Sequence, residues 1–321
     1  MSGQALCRHW PKFSEPRRRF PRKTVEKERA VHMAKVLSIS SQVIYGHVGN
    51  SATAFVMQRM GHDVLPLPTI LLSNRPGYKA LAGEPVAVDK LDALLHAAEE
   101  NGWLSEIDGV LTGYIPTPEH AELSRHWIAK IRAANPAALY LCDPVVGDLP
   151  RGLYVSEATA EAVRDVLVPV ADAVTPNLFE LGWLARRPIA SPASAIAAAL
   201  ALARPTVVVT SAPSGKPDSV ANILVKGGEV FATVSPRRAL TAHGTGDALA
   251  AFLLSYKLNG FVASASLRAA TAAIDAVVEK SEGRSELALI ETQAVWAAAD
   301  PVLAPLASLP GLDDDDDAEA G

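Results

Sequence analysis

The sequence predicts an α/β fold in which helices cover both faces of a mostly parallel β-sheet. Short, continuous apolar runs, typical of strands buried on both faces, alternate with helical segments. No internal repeat or linker interrupts residues 34–300, which favours one domain over two. Polar residues and glycines follow most of the apolar runs, as expected where parallel strands end at a ligand-binding edge.

The first predicted strand is the apolar run 36–39, and Val48-Gly49-Asn50 leads into a helix through Met60. Further apolar runs predict strands at 63–67, 108–112, 139–142, 173–175, 206–210 and 223–225. Helices are predicted at 89–101, 117–134, 157–167, 177–185, 193–203, 247–258 and 263–280. The alternation of strands and helices predicts a mostly parallel sheet, and the helices at 247–258 and 263–280 close the body.

Composition excludes several classes of protein. The chain has 321 residues, of which 49% are hydrophobic and 20% charged, enough for a large core. It has no apolar run long enough to cross a bilayer and no secretory apolar region, so we expect no membrane partner. Cys7 and Cys142 lack the spacing of a metal site or a disulfide framework. We therefore expect a cytoplasmic protein.

The two ends differ in charge from the body. Residues 1–33 form a basic extension without apolar periodicity, and Met33, directly before the first strand, favours a start site there. Residues 301–321 form an acidic tail that contains Asp313–Asp317. We expect both ends to be disordered and residues 34–300 to form the folded domain. Because basic charge is concentrated in the extension, no nucleic-acid partner is expected.

The residues after the predicted strands form one chemical set of acids, hydroxyls and glycines. They are Ser40, Ser41, Gln42, Thr112-Gly113-Tyr114, Asp143, Asp148, Thr175-Pro176-Asn177, Glu180, Thr210-Ser211 and Gly244–Asp247. Such a set suits a phosphate and magnesium site. A dinucleotide site would have Gly-x-Gly-x-x-Gly after the first strand, and that fingerprint is absent.

The turn Gly244-Thr245-Gly246-Asp247 is followed directly by an apolar helix. Glycines allow a ligand to approach the main chain, and the free N–H groups of a helix start attract an anion. The positive end of the helix dipole should keep Asp247 ionised, so that it can take a proton from a hydroxyl attacking a phosphoryl group. The alternative is a plain helix cap.

The motifs together resemble those of the pyridoxal kinases, within the ribokinase-like small-molecule kinases. They are SQVIYGHVGN at 41–50, Leu72-Ser73-Asn74, Leu111–Tyr114, Cys142–Val145, Thr175-Pro176-Asn177-x-x-Glu180 and Gly244–Asp247. The resemblance spans about residues 35–285. It implies a ribokinase-like three-layer sandwich, a homodimer, and ATP-dependent phosphorylation of the 5′-hydroxymethyl group of a B6 vitamer in vitamin B6 salvage.

The resemblance also implies roles for individual residues. Asp247 matches the catalytic base, and Gly244, Thr245 and Gly246 match the anion hole. ATP and its ions are expected at Asp143, Thr175, Asn177, Glu180, Thr210, Ser211, Thr245 and Gly246, with Mg²⁺ at Asp143 and Glu180 and possible K⁺ binding nearby. Asn177 has the alternative role of a helix N-cap, and Thr175 and Thr210 of ordinary strand-end hydroxyls.

On the substrate side, the resemblance implies Ser41, Thr69 and Tyr114 beside Asp247. Ser41 and Thr69 would supply hydrogen bonds and Tyr114 an apolar wall; alternatively they are turn hydroxyls and a core tyrosine. Residues 147–154 contain Gly147, Pro150 and Gly152 and predict either a flap over ATP or a surface loop.

Three residues depart from the family pattern and leave vitamer preference open. Gln42 and Arg75 stand where many members have His, and Leu72 where many have Phe. Two other functions also stay open. A hydroxymethylpyrimidine kinase would share the catalytic half, whereas a non-catalytic vitamer-binding protein has no need for a base and metal ligands together.

Overall fold

The computed structural model describes residues 33–298 and 301–310. In those residues the strands are β1 Lys35–Tyr45, β2 Asp63–Asn74, β3 Gly83–Pro85, β4 Ile107–Thr112, β5 Leu139–Cys142, β6 Gly147–Asp148, β7 Gly152–Leu153, β8 Ala173–Val174, β9 Thr206–Pro213, β10 Ser219–Lys226 and β11 Glu229–Pro236. The helices are α1 Asn50–Arg59, α2 Val88–Glu100, α3 Pro118–Ala134, α4 Glu157–Ala162, α5 Leu178–Ala185, α6 Pro192–Ala201, α7 Thr245–Leu258, α8 Ala263–Ser281 and α9 Leu289–Trp296. The predictions for 1–32 and 311–321 lie outside the described residues.

The main sheet has the strand order β11-β10-β9-β8-β5-β4-β1-β2-β3. The strands from β9 to β2 are parallel to their neighbours, and β3, β10 and β11 are antiparallel additions at the two edges. The predicted mostly parallel sheet is therefore confirmed. β1 lies between β2 and β4, where the strand order reverses, so a ligand crevice is expected beyond the carboxyl ends of β1 and β4.

Helices cover the sheet on both faces and bury two large apolar clusters. One cluster joins α1, α7 and α8 to the sheet around the fully buried Phe252. The other joins α2, α3 and α4 to it around the fully buried Trp127. A third cluster packs α6 on β9, β10 and β11. The three-layer architecture is as predicted, and α7, which follows the glycine turn, packs against α1 and α8 in one helical layer.

The structure also differs from the predicted elements. β1 and β2 run several residues past the predicted ends and pair with each other to Tyr45 and Asn74. The helix predicted at 157–167 is α4 followed by a π-helical turn over 163–167. β3, β6, β7, β11 and α9 were not predicted. These are short elements or edge elements, in which no continuous apolar run marks a strand.

The folded body extends past the predicted boundary at residue 301. The Ala304 N–H donates to Arg268 O at 3.1 Å, and the Ala307 N–H donates to Ala232 O at 2.9 Å. Leu309 is 1% exposed and belongs to the cluster on β9, β10 and β11. The prediction of a disordered tail is therefore wrong for 301–310. In the described ranges, no helix is long and apolar enough to span a membrane.

Candidate active site

The glycine turn before α7 is held so tightly that residue 244 must be glycine. Gly244 has φ 101°, in the left-handed region. A Cβ there would lie 1.9 Å from His47 O, far inside van der Waals contact. No side chain in the described part of the chain caps this helix end. The first amides of α7 are therefore available to an anion.

Asp247 lies on the first turn of α7 and faces the ends of β1 and β4. The Gly49 N–H donates to its carboxylate. A Cβ at Gly113, just after β4, would lie 3.7 Å from Asp247 Oδ1, which shows how close the two backbones come. Burial raises the pKa of Asp247 to about 6, and the Gly49 hydrogen bond opposes that shift. This carboxylate is therefore poised to accept a proton near neutral pH.

Asp143, directly after β5, lies next to the same turn. A Cβ at Gly246 would lie 3.8 Å from Asp143 Oδ2. The Thr175 hydroxyl donates to Asp143 Oδ1 at 2.7 Å, which orients the carboxylate. Burial and the charge of Asp247 raise the pKa of Asp143, while the Thr175 hydrogen bond lowers it. The strand-end positions 143, 175 and 247 therefore form one cluster.

Asn177 and Glu180 form a capping box at the start of α5. The Glu180 N–H donates to Asn177 Oδ1 at 3.0 Å, and the Asn177 N–H donates to Glu180 Oε2 at 2.8 Å. Glu180 Oε1 also accepts from Val146 N at 3.2 Å. The alternative role of Asn177 as a helix cap is therefore confirmed. The Gly147 N–H bonds to the same carboxylate, so three backbone amides hold Glu180 in place.

The acidic cluster fits a hydrated divalent cation shared with phosphates. Burial and the charge of Asp143 raise the pKa of Glu180 well above its ordinary value, so the two carboxyls repel each other. In residues 33–298 and 301–310, no Lys or Arg forms an ion pair with Asp143, Glu180 or Asp247. These ranges also contain no cage of three or more His, Cys, Asp or Glu. Mg²⁺ needs only one or two carboxylates when phosphates and waters complete its shell.

Thr210 and Ser211, predicted to contact ATP, lie inside β9, next to the residues that follow β8. The Thr210 N–H donates to Pro176 O at 2.9 Å, and Thr210 pairs with Asn177. Ser211 is exposed and has φ 53°. The structure thus brings the predicted ATP residues to one edge of the sheet.

The predicted substrate residues lie on β1, on β2 and directly after β4, three neighbouring strands of the sheet. Ser41 contacts Gly49, where a Cβ would lie 2.2 Å from Ser41 Oγ. The Thr69 hydroxyl donates to Tyr114 O at 2.8 Å. Thr69 lies inside β2, so the alternative of a turn hydroxyl is wrong for this residue. Tyr114 is half-buried, and burial raises the pKa of its hydroxyl. Ser41, Thr69 and Tyr114 therefore surround the switch point between β1 and β4.

Two of the three departures from the family pattern are engaged with the protein itself. Gln42 Nε2 donates to Ser51 Oγ at 2.7 Å. Arg75 Nη2 donates to Ser285 O at 2.9 Å, and its Nε lies 3.4 Å from Glu286 Oε1. Both side chains are therefore held in place by contacts within the protein.

The segment predicted as a flap or loop is a β6–β7 hairpin. Asn177 Nδ2 donates to Gly147 O at 2.8 Å, which ties the hairpin to the capping box. A Cβ at Gly147 would lie 2.4 Å from Gly152 O, so the two strands require glycine there. The hairpin starts directly after the Asp143 strand end, as a cover over that end would.

Sequence reasoning assigned no role to several residues that build the site. Ser40 Oγ accepts from Tyr114 N at 3.0 Å, and Gly49 binds Asp247. Gly49 belongs to the motif at 41–50, and Ser40 directly precedes that motif in the set of strand-end residues, so their positions were the available signal. Glu286 contacts His47, Tyr78 and Arg75, and no sequence pattern indicated it.

Comparison with known proteins agrees with this geometry. The chain is 37% identical over 270 residues to a pyridoxal kinase PdxY of Leifsonia xyli, covering 82% of this chain and 95% of that protein. The chain belongs to the pyridoxal kinase family. It is also 38% identical over 230 residues to a pyridoxine/pyridoxal/pyridoxamine kinase of Bordetella avium, covering 70% of this chain and 78% of that one.

Members of the pyridoxal kinase family also share its structure. The fold matches a pyridoxal kinase from Leishmania donovani in complex with ADP and pyridoxamine, with TM-score 0.78 and 30% identity. That match covers 85% of this chain and 99% of the other. The phosphomethylpyrimidine kinase family model matches residues 103–287, which include the Asp247 turn. The chain is thus a ribokinase-like kinase by sequence and by structure.

Proposed function

We propose that this protein transfers the γ-phosphoryl group of ATP to the 5′-hydroxymethyl group of pyridoxal, pyridoxine and pyridoxamine. Pyridoxal would give pyridoxal 5′-phosphate, a step of vitamin B6 salvage. One observation carries the proposal: Asp247, with a pKa raised to about 6, lies beside the open amides of α7 in a member of the pyridoxal kinase family. A base next to an anion hole suits attack by an alcohol on a phosphoryl group.

The proposed reaction is a direct in-line transfer. Asp247 takes the proton of the hydroxymethyl group as its oxygen bonds to the γ-phosphorus. The bond from that phosphorus to the bridging oxygen breaks, and ADP leaves with the electron pair. The amides of Gly244, Thr245 and Gly246 stabilise the charge on the transferred group. The β6–β7 hairpin would exclude water from the phosphates.

Metal, monovalent ion, assembly and location belong to the same proposal. Asp143 and Glu180 would hold a hydrated Mg²⁺, which supplies charge neutralisation to the ATP phosphates when bound. Thr175 and Thr210 would bind phosphates or an adjacent K⁺. By family resemblance, the protein would be a cytoplasmic homodimer. Ser41, Thr69 and Tyr114 would hold the vitamer ring.

A hydroxymethylpyrimidine kinase is the second candidate, favoured by the family model that matches residues 103–287. Its substrate is also a flat heteroaromatic ring with a hydroxymethyl group. The Asp247 turn would serve both reactions equally, so only the ring pocket distinguishes them.

A coupled ADP-release assay with Mg-ATP tests the proposal on pyridoxal, pyridoxine, pyridoxamine and hydroxymethylpyrimidine. We expect turnover of a B6 vitamer by the wild type and loss of orders of magnitude in Asp247→Asn. Asp165→Asn, which changes an exposed aspartate paired with Arg164, is the matched control. Turnover of hydroxymethylpyrimidine alone would show that the substrate is the pyrimidine and not a B6 vitamer. Nucleotide binding without turnover of any of the four compounds would favour a binding protein or another kinase.

A further inference from the structure

Ser211 has a backbone conformation that its position does not explain. The described residues other than glycine with positive φ are Arg186, Ala203 and Ser211. Arg186 caps the end of α5, and Ala203 follows the end of α6, where left-handed residues are common. Ser211, with φ 53°, lies inside β9. A left-handed serine in a strand is strained, and such strain often marks a functional site.

The strain accompanies a bulge opposite Asn222. Ile223 pairs with Val209, and Ala221 pairs with Ala212, so two residues of β9 lie opposite Asn222 alone. The Ser211 N–H donates to Asn222 Oδ1 at 3.3 Å. The asparagine side chain therefore replaces the ladder partner that the bulge removes from Ser211.

Asn222 is itself held by buried hydroxyls on its other side. Asn222 Nδ2 donates to Thr271 Oγ1 at 3.2 Å, and Thr271 Oγ1 is 2.8 Å from Thr233 Oγ1. Asn222 is 7% exposed, and both threonines are fully buried between the sheet and α8. Burying an amide and two hydroxyls is unfavourable unless they bond to one another, as they do here. The chain of contacts runs Thr233–Thr271–Asn222–Ser211.

The bulge is placed at the proposed nucleotide end of the sheet. Thr210, the other bulged residue, bonds through its N–H to Pro176 O, next to the Asn177–Glu180 capping box. Bulges beside active sites redirect side chains and backbone amides. Without the bulge, the side chains of β9 would alternate regularly, and those after Val209 would lie on the opposite faces of the sheet.

We propose that Asn222 is a positioning residue for ATP, which holds Ser211 in the left-handed conformation and so presents Thr210 and Ser211 to the nucleotide. Thr271 and Thr233 support it from the core. This inference rests on the proposed ATP-dependent function. We therefore expect the Asn222 side chain to affect nucleotide binding only when residue 211 disfavours the left-handed conformation. Glycine does not disfavour that conformation, so Asn222 should have little effect when residue 211 is glycine.

The test compares Asn222→Ala in two backgrounds, the wild type and Ser211→Gly. The readouts are the Kd of Mg-ADP by calorimetry and the KM values of ATP and of the vitamer. In the wild-type background, Asn222→Ala should weaken nucleotide binding about tenfold, the factor that corresponds to a left-handed serine's cost. In the Ser211→Gly background, the factor due to Asn222→Ala should fall to about twofold or less. The vitamer KM should change little in either background.

Two further variants control for general damage. Ala203→Gly relieves the same strain outside β9 and should not reduce the effect of Asn222→Ala. Thr271→Val keeps the side-chain volume and should weaken nucleotide binding in the same direction as Asn222→Ala, again only while residue 211 is serine. If Asn222→Ala fails to fold, the effect of Thr271→Val with serine and with glycine at residue 211 provides the same comparison.

The proposal would be overturned if Asn222→Ala weakened nucleotide binding by the same factor in the two backgrounds. It would also be overturned if Ala203→Gly reduced the effect of Asn222→Ala as Ser211→Gly does. Either result would assign Asn222 to general stability. A wild type that binds Mg-ADP but phosphorylates no alcohol would overturn the proposed function, while the binding comparison still decides the role of Asn222. A wild type without affinity for Mg-ADP would overturn both.

Discussion

The pKa of Asp247, about 6, lies close to neutral pH, so we expect the activity to depend on pH in this range. As the proposed base it must be ionised, so kcat/KM for the vitamer should fall as pH drops through about 6, approaching tenfold per pH unit below it. Steady-state rates between about pH 5 and 8 measure this fall in kcat/KM, the acidic limb of the pH profile. The residual activity of Asp247→Asn should lack it. An unchanged limb in that variant would assign the titration to another group.

The same shift makes Asp247 costly for folding at neutral pH. Its pKa is about 6 in the folded protein against an ordinary value of 3.8, so the folded state binds the proton more tightly. The resulting stabilisation is complete below the unfolded pKa and is lost as pH rises through the folded one. Asp247→Asn should therefore increase the free energy of unfolding by about 2 kcal/mol at pH 7, and by less at pH 5. Urea unfolding at both pH values checks this; a loss of stability at pH 7 would contradict it.

Gly244 offers a substitution with a matched control. Alanine at 244 would place a Cβ 1.9 Å from His47 O, so the turn must move. Alanine at Gly260 meets the same positive φ, 83°, but no atom within 4 Å. Gly244→Ala should lower kcat by about a hundredfold or more, as the loss of an anion-hole donor does. Gly260→Ala should lower stability by about 1 kcal/mol and leave kcat unchanged. Equal kcat values in the two variants would show that the turn tolerates displacement.

Most of the residues that cluster at the site could be predicted from their positions after strands. Asp143 follows β5, and Thr175 and Asn177 follow β8; they meet because these parallel strands end at one edge. Asp247 is brought to the same edge by the first turn of α7 and not by a parallel strand. Asn222 was beyond this reasoning because its role depends on the register between β9 and β10, which a single strand does not encode.

Glu286 connects three segments that surround the site. It accepts from the Tyr78 hydroxyl and from His47 N, the latter at 3.2 Å, and pairs with Arg75. We call Glu286 with its partners His47, Arg75 and Tyr78 the clasp. The carbonyl of His47 contacts Gly244, so the clasp is one peptide away from the proposed anion hole. Glu286 thus joins the β2–β3 loop to the loop between β1 and α1, and that loop contacts the glycine turn before α7.

Loss of this clasp should disturb catalysis more than stability. Glu286→Ala should reduce kcat/KM for the vitamer about tenfold, since three contacts are lost at once, and Glu286→Gln by a smaller factor. Glu291→Gln, which breaks only the exposed pair with Arg284, should change nothing measurable. Equal kcat/KM in wild type and Glu286→Ala would exclude a role for the clasp in positioning the turn.

Elements were predictable from the sequence in proportion to their burial. The parallel strands and the long helices carry apolar patterns that single residues do not obscure. β6 and β7 have two residues each, too few for a pattern. β11 had an available signal in Gly227-Gly228, a two-residue hairpin turn with positive φ at both positions. The extension of β1 ends in exposed residues and that of β2 in half-buried ones, where hydrophobicity no longer indicates strand pairing.

The two ends of the chain should contribute very differently to the whole protein. Residues 301–310 are anchored to the folded body through Ala304, Ala307 and Leu309, and Pro310 lies against Gly215. Removing 301–321 would expose the apolar cluster on β9, β10 and β11, of which Leu309 alone accounts for about 2–3 kcal/mol. The acidic residues beyond 310 add charge but no apolar surface of comparable size.

Three truncations therefore separate the folded body from its charged ends. Deletion of 1–32 and deletion of 311–321 should each leave kcat/KM and Tm unchanged, because the proposed site and the core lie in the residues between them. Deletion of 301–321 should lower Tm by several degrees, the shift expected for about 2–3 kcal/mol in a chain of this size. Calorimetry and the ADP-release assay measure both quantities on each protein. A loss of activity on deletion of 1–32 would give the basic extension a role in the enzyme, and an unchanged Tm without 301–321 would show that the cluster closes without Leu309.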